Sequence, residues 1–383
     1  MLLARVSVRG ASITGESLGE LLTAIGLMSG TSMDGIDVAL IRTDGEARLE
    51  RGPSRSYPYD ADFRRRLVEA HAAAQEIRVR TERPGPLIDT EQDITDRHAA
   101  AVGAFLEEFG LPREEIGIIG FHGQTVLHRP QAHLTVQLGD GARLAKLCGR
   151  PVVNDLRVAD VESGGQGAPL VPVYHRALAA GLPHRPVAFV NIGGVSNITW
   201  IGGEDILAFD TGPGNALMDD WALRHTGKAC DMDGALARSG TADRKALHTY
   251  LSEPFFDEPV PKSLDRGSFR LAPVERLEPA DGAATLAQVT AMSVARARDW
   301  FREAPALWVI CGGGRRNRYL MELLAWHIEA PVVPAEACHL DGDSVEAEAW
   351  AYMAVRSLKG LPITFPSTTG APEPLTGGTL HKP

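Results

Sequence analysis

Residues 25–42, I-G-L-M-S-G-T-S-M-D-G-I-D-V-A-L-I-R, set Ser29-Gly30-Thr31-Ser32 between two strand-like apolar runs. Ile25, Leu27 and Met28 lead in, and Ile36, Val38 and Leu40 lead out, with Asp34, Gly35 and Asp37 interrupting the exit. This pattern predicts a hairpin with a small, hydroxylated tip. Such a tip can turn N–H groups and hydroxyls toward an anion, and the two carboxylates beside it suit a metal-nucleotide. A plain turn is the alternative. The same grammar returns at residues 187–201, where apolar runs flank Asn191-Ile192-Gly193-Gly194-Val195-Ser196-Asn197. After each hairpin come a helical pattern, a short buried strand and a polar turn. In the first half these are residues 95–109, residues 116–120 and Phe121-His122-Gly123-Gln124-Thr125. In the second they are the face Leu286, Val289, Ala297, Trp300 and Phe301, residues 306–310 and Cys311-Gly312-Gly313-Gly314. The halves share grammar but hardly any residues, which predicts a duplicated architecture.

A chain of 383 residues exceeds the ~250–300 at which single cores stop growing. Two domains are therefore expected: residues 21–153, with the tail 360–383 packed back on them, and residues 154–359. Residues 1–20 read as an N-terminal extension. A net charge of −10 argues against broad neutralisation of nucleic-acid phosphates but not against a local cationic pocket. The four cysteines are scattered without metal spacing, which suits a reduced cytoplasm. The first residues lack an apolar core of secretory length, and no run approaches the ~18 apolar residues of a membrane span.

Other elements follow from periodicity. Residues 61–80 read as a charged surface helix, and the 95–109 helix ends at Gly110-Leu111-Pro112. The polar residues 121–125 are expected at the end of a buried strand, where open α/β sheets place their sites. Residues 151–153 form another strand. The Gly312 run is expected where the helix carrying Leu320, Leu323, Leu324 and His327 begins, and residues 346–358 form a further helix.

The glycine-rich turns invite a nucleotide, yet no P-loop exists, since Gly227-Lys228 is followed by Ala229. A dinucleotide fingerprint is also missing. Two phosphate-facing hairpins plus a Gly-rich helix start match the actin-like and sugar-kinase ATPase fold. That fold is α/β, with two RNase-H-like domains and ATP in the cleft between them. Five motifs occur in order: L-M-S-G-T-S-M-D-G-I-D, F-H-G-Q-T-V, G-G-Q-G-A-P-L-V-P, N-I-G-G-V-S-N-I-T and F-D-T-G-P-G-N. Together they resemble the anhydro-N-acetylmuramic acid kinase family, from about Ile25 to Thr368-Thr369-Gly370-Ala371.

The resemblance implies a reaction in peptidoglycan recycling. ATP, with Mg²⁺, phosphorylates the 6-oxygen of 1,6-anhydro-N-acetylmuramic acid while water opens the anhydro bridge, giving N-acetylmuramic acid 6-phosphate. The 6-oxygen is an ether without a proton, so one general base has to activate the water. Asp210, expected at a strand end after the apolar run 206–209 and before the turn Thr211-Gly212-Pro213-Gly214, matches the family's base; a local Asx-turn is its alternative. Ser29, Gly30, Thr31, Ser32, Gly35 and Asp37 are expected at the phosphates, with Asp34 holding Mg²⁺ through water and Asp37 partly capping the hairpin. Gly193 and Gly194 form the opposing phosphate turn, and Gly312, Gly313 and Gly314 the adenosine side. His122, Gln124, Arg157, Asp160, Gln166, Asn215 and Glu346 are the candidates for the sugar. Arg157 suits bidentate capture of the lactyl carboxylate. Its alternative is an ion pair with Asp155 or Asp160. His122 could equally be a satisfied core histidine, and Glu346 a solvated first-turn glutamate.

Two features stand outside this reading. Phe121 occupies a position where the family commonly has a small residue, and Lys262-Ser263-Leu264-Asp265-Arg266 matches a family segment without an assigned role. A same-fold kinase of another amino sugar, without ring hydrolysis, is the first competitor. An actin-like ATPase acting on a protein partner is the second. The expected partner is a small sugar, with no nucleic acid and no membrane; a homodimer is left open as the assembly.

Overall fold

The computed structural model describes residues 20–30, 33–265 and 267–383. The expected N-terminal extension, save its last residue, and the tip residues Thr31 and Ser32 lie outside the described residues.

Alternation along the early strands builds the first sheet. β1 (Leu22–Ser29), β2 (Gly35–Thr43) and β3 (Leu49–Pro58) form an antiparallel meander, with Ile25 opposite Leu40 and Leu27 opposite Val38. β4 (Ile118–Arg129) lies parallel to β1, β5 (Leu134–Leu138) folds back on β4, and β6 (Val152–Asn154) pairs parallel to β4. The second sheet repeats the scheme. β7 (Val187–Ile192), β8 (Val195–Gly202) and β9 (Asp205–Pro213) form the meander. β10 (Leu307–Cys311) pairs parallel to β7, and β11 (Val332–Pro334) parallel to β10. From meander edge to parallel edge the orders are β3-β2-β1-β4-β6 and β9-β8-β7-β10-β11. The duplication is therefore of topology, as the shared grammar predicts.

Strand residues divide by period two between the outer and inner faces of the sheets. Ala188, Val190, Trp308 and Ile310 join the outer core of the second sheet, while Val187, Phe189, Leu307 and Val309 join a core between the sheets. That middle core also takes Ala24 and Ile118 from the first sheet, together with Tyr174 and Trp350 from two intervening helices. Helix Val345–Leu358 packs across β1, β2 and β4, although it follows the second sheet in the chain. It can approach because Gly26 and Gly120 face it. An added Cβ would stand 1.7 Å from the Ala347 carbonyl oxygen at Gly26, and 2.1 Å from that of Trp350 at Gly120.

The tail meets both sheets. β12 (Thr379–His381) pairs antiparallel with β6, and the short helix Pro366–Thr369 packs along β9.

Several expectations are corrected. The helix placed at 95–109 begins at Leu87, since Leu87, Thr90 and Ile94 extend its buried face and the threonine obscures the pattern. Residues 121–125 do not end a strand. β4 continues through them because its outer half gains β5 as an antiparallel partner. β9 likewise runs on through Pro213, paired with Val195, so Asp210 lies within a strand and not at its end. The glycine run forms a 3-10 turn, Gly313–Arg316, and the helix proper, Arg318–His327, starts after the Asn317 cap.

Candidate active site between the two sheets

The first sheet builds its rim where β1 ends beside β4. Ser29 sits in register with Gln124, after an irregularity following Leu27. Ser29 is fully buried, and its hydroxyl donates to the Gly123 carbonyl at 2.8 Å. Gln124 Nε2 donates to the Gly30 carbonyl at 3.0 Å, while its Oε1 is buried with no partner among the described residues. His122 Nδ1 stands 3.1 Å from the Ser29 carbonyl and must donate to it, since a carbonyl only accepts. Its Nε2 then accepts from the Arg157 guanidinium, at 3.3 Å from Nε and 3.2 Å from Nη2. Burial, with Arg157 next, pushes His122 well below the usual imidazole range, so the ring is neutral. The satisfied-histidine reading and the site reading both hold: His122 is buried, and it seats Arg157.

Past the tip, Asp34 is exposed at a bend, and its carbonyl oxygen accepts from the Tyr59 N–H at 2.9 Å. Gly35 opens β2 opposite Pro58. Asp37 lies inside β2, opposite Met28 and Ser56, and accepts a hydrogen bond from the Ser56 hydroxyl. Burial raises its proton affinity against that bond, and the negative charges of Asp34, Asp343 and Asp341 raise it further.

Arg157 precedes the short helix Val158–Glu162. Its Nη1 donates to the Gly167 carbonyl at 2.7 Å, and its guanidinium lies 5.2 Å from the centre of the Trp350 ring. Neither anticipated ion pair forms. Asp155 pairs with Arg80 at 2.9 Å. The Asp160 carboxylate accepts from the Gly167 N–H at 2.6 Å and the Thr369 hydroxyl at 2.5 Å. Asp160 thus shapes the 164–167 loop from behind. Arg157 has no carboxylate in ion-pair contact among the described residues. Burial pulls it down to about 10, with Glu346 and Asp160 opposing, and it stays cationic at neutral pH.

The second sheet closes its rim differently. The Gly193 carbonyl accepts from Asn215 N–H at 2.7 Å, and the Gly194 carbonyl from Gly214 and Ala216 N–H at 3.0 and 3.2 Å. Asn215 also donates from its side chain to the Ile192 carbonyl at 2.9 Å. Gly312 holds φ at 70°, and a Cβ there would stand 2.2 Å from Asn191 Oδ1, so the glycine run presses on the end of β7. Arg315 anchors the run, donating to the Gly312 carbonyl at 2.9 Å and pairing with Glu336 at 2.8 Å. At Gly193 and Gly313 an added Cβ would meet only ordinary van der Waals contacts, Val195 O at 3.6 Å and Asn215 Nδ2 at 3.5 Å.

Glu346, in the first turn of its helix, is not solvated as a helix-dipole glutamate would be. It accepts a long 3.4 Å hydrogen bond from Asn191 Nδ2. Burial raises its proton affinity, Arg157 opposes this and Asp37 adds to it, so the carboxyl takes a hydrogen bond from the second rim and feels charges of the first.

Asp210 faces Asn197 across β8 and β9, and the register slips between Asn197 and Ser196, leaving Thr211 as an extra residue. A bulge of this kind re-aims the neighbouring side chain. The carboxylate does not serve a local turn. Its Oδ2 accepts from the Leu264 N–H at 2.7 Å, and the Asp210 N–H donates to the Lys262 carbonyl at 2.9 Å. Burial pushes Asp210 up to about 7 against the Leu264 bond, with Asp265 adding.

A continuous run of contacts joins the rims. Ser263 Oγ donates to Gln166 Oε1 at 3.3 Å, Gln166 N–H donates to the Thr369 carbonyl at 2.7 Å, and the adjoining Gly167 takes up Arg157. His128 Nε2 also donates to the Gln166 carbonyl at 2.9 Å. Sequence reasoning missed Trp350, Asn191, Thr369 and the grip of Lys262 and Leu264 on Asp210. The motifs N-I-G-G and T-T-G-A were the only signals for two of them.

The family model described as anhydro-N-acetylmuramic acid kinase matches residues 22–383. A relative of that name from Rhodospirillum rubrum is 54% identical over 358 residues, 93% of each chain. One from Rhizobium etli is 53% identical over 365 residues, covering 94% of this chain and 99% of its own. Among solved structures, component A of (R)-2-hydroxyglutaryl-CoA dehydratase from Acidaminococcus fermentans aligns with 88% of this chain and 99% of its own. Its identity is 11% and its TM-score 0.46, too distant to bear on function. With two sheets of one topology, a polar site between them and a family match along nearly its whole length, the chain belongs to the anhydro-N-acetylmuramic acid kinase family.

Proposed function

We propose that this chain transfers the γ-phosphoryl group of ATP to the 6-oxygen of 1,6-anhydro-N-acetylmuramic acid while water adds to the anomeric carbon. Water gives a proton to Asp210 and its oxygen bonds to C1. The C1–O6 bond breaks, O6 takes the phosphoryl group and ADP leaves. Asp210 carries this reading. It is a partly buried carboxylate with one oxygen held by a backbone N–H and a proton affinity near neutral, as a base for water requires.

Arg157 receives the lactyl carboxylate, its charge unmatched in contact and its orientation set by His122 and Gly167. Asp160 and Gln166 hold the loop behind it, and Gln124 and Glu346 present polar atoms from either side. Ser29, Gly30 and the following tip residues meet the phosphates from one side, with Gly193 and Gly194 opposing them. The glycine run takes the nucleoside, consistent with the exposure of Gly313. No group of three His, Cys, Asp or Glu among the described residues could ligate a metal directly, so in this reading Asp34 holds Mg²⁺ through water. When bound, Mg²⁺ neutralises phosphate charge.

Residues 21–153 with the tail, and residues 154–359, are the two units of this proposal, with helix Val345–Leu358 lying between their sheets. No helix among the described residues is long and apolar enough to cross a membrane. The four cysteines are free thiols, consistent with a cytoplasmic setting.

Reaction with ATP and the anhydro sugar in ¹⁸O-labelled water tests the reading. One phosphoryl group and one labelled oxygen at the anomeric carbon are expected in the product. A phosphorylated product with the ring intact, or ATP hydrolysis indifferent to the sugar, overturns it.

A further inference from the structure

Lys262 is a buried lysine whose ammonium has no ion pair with a carboxylate among the described residues. Nζ donates to the carbonyls of Phe255 and Phe256 at 2.7 and 3.1 Å, and it lies 4.6 and 5.5 Å from the ring centres of Phe255 and Trp300. The acidic residues that act on it are Glu258 and Asp257, and Asp257 is already paired with Arg296. Removing an ammonium from water into such a cage is costly, so the arrangement is a poor device for stability alone. What the cage holds in place is the segment of residues 262–264. That segment accepts the Asp210 N–H, donates to Asp210 Oδ2 and reaches Gln166 through Ser263.

We propose that Lys262 and Ser263 are positioning residues for Asp210: the lysine anchors the strap that grips the carboxylate, and the serine latches that strap to the loop seating Arg157. The inference rests on Asp210 acting as the base. Among the described residues few other groups bear on that carboxylate. Asn197 opposite it and the tail helix Pro366–Thr369 are uncharged, and Asp265 is the charged residue that acts on it. A loosened strap removes an N–H from the ionised form, and the carboxylate then holds its proton to higher pH.

The test compares Lys262→Met, Ser263→Ala and Asp210→Asn in the full chain, with turnover followed against pH. Lys262→Met should lose about tenfold in kcat, raise the acid limb of kcat/KM for the sugar by roughly half a pH unit, and leave KM for ATP within about twofold. Its melting temperature should stay near the parent's, because the cage accepts an apolar chain of similar length. Ser263 is exposed, so its alanine variant folds; it should lose about threefold in kcat/KM for the sugar and raise the acid limb slightly.

A folded Lys262→Met with the parent's kcat and acid limb overturns the proposal. If that variant does not fold, an unchanged Ser263→Ala overturns it alone. Failure of the underlying reading looks different. Asp210→Asn would then keep its turnover, whereas an inactive Asp210→Asn beside two unaffected strap variants sinks only the positioning role.

Discussion

The β1–β2 and β7–β8 hairpins occupy the same place in two sheets of one strand order, yet their tips are closed by different partners. The first is held from its parallel neighbour: Ser29 donates to Gly123, and His122 and Gln124 donate back to Ser29 and Gly30. The second is held by the start of helix Ala216–Thr226, whose leading N–H groups are taken up by the carbonyls of Gly193 and Gly194. The first rim therefore buries side-chain chemistry inside its sheet and carries a cation, Arg157, on His122. The second rim is mostly backbone and carries one carboxylate, Asp210, at a bulge. A duplicated topology supplies two matching surfaces, and the site needs them to differ. In the proposed reaction one side receives anions and the other removes a proton.

The comparison breaks most sharply at Asp210. Asp210→Asn should lower kcat by about 10³-fold while ATP affinity stays within about twofold, measured by steady-state kinetics and nucleotide titration. Comparable losses in both would make Asp210 a general scaffold residue. The same variant should be more stable than the parent at pH 8 and equal to it near pH 4. Asp210 has its folded pKa raised to about 7, so its contribution to stability is present below the unfolded value and lost as pH rises through 7. Thermal melts at the two pH values read this directly.

On the opposite rim, Arg157→Ala should raise KM for the sugar by roughly 10²-fold, with little change in KM for ATP. Lysine should rescue only part of this, since it cannot reproduce the fork seated on His122 and Gly167. Equal weakening of sugar and nucleotide would erase the division of labour between the rims.

The smallest effect is that of pH on the unaltered chain. Protonated Asp210 cannot accept a proton from water, so kcat/KM for the sugar should fall about tenfold from its plateau by pH 6. Arg157 keeps its charge there and His122 stays neutral. A pH-rate profile flat from 8 to 6 would remove Asp210 from proton transfer.

Much of this was legible beforehand, and the reason is local. Alternation over a few residues is enough to specify β1, β2, β7 and β8, and small residues at a turn are enough to mark the tips. Glu346 and Trp350 could be placed on a helix by its apolar period, though not aimed. The two misplaced strand ends share one cause. β4 and β9 ran past their expected ends because β5 and β8 were there to pair with them, and a partner strand is not visible in the strand it extends.

By itself, then, the sequence determined the elements, their repetition, and the residues able to do chemistry. Backbone sterics and side-chain alternation act within about ten residues, and those rules were sufficient. Tertiary structure alone decided which polar groups meet. It gave Asp160 to Thr369, 209 residues away, leaving Arg157 free of both neighbouring aspartates for His122 and Gly167. It gave Asp210 a donor 54 residues away at Leu264. Such pairings follow from desolvation and packing in the folded chain, where each buried donor or acceptor must find a partner among groups remote in sequence. The hairpins, Arg157 and Asp210 could be read from the chain; the partners that hold the cation on one rim and the carboxylate on the other could not.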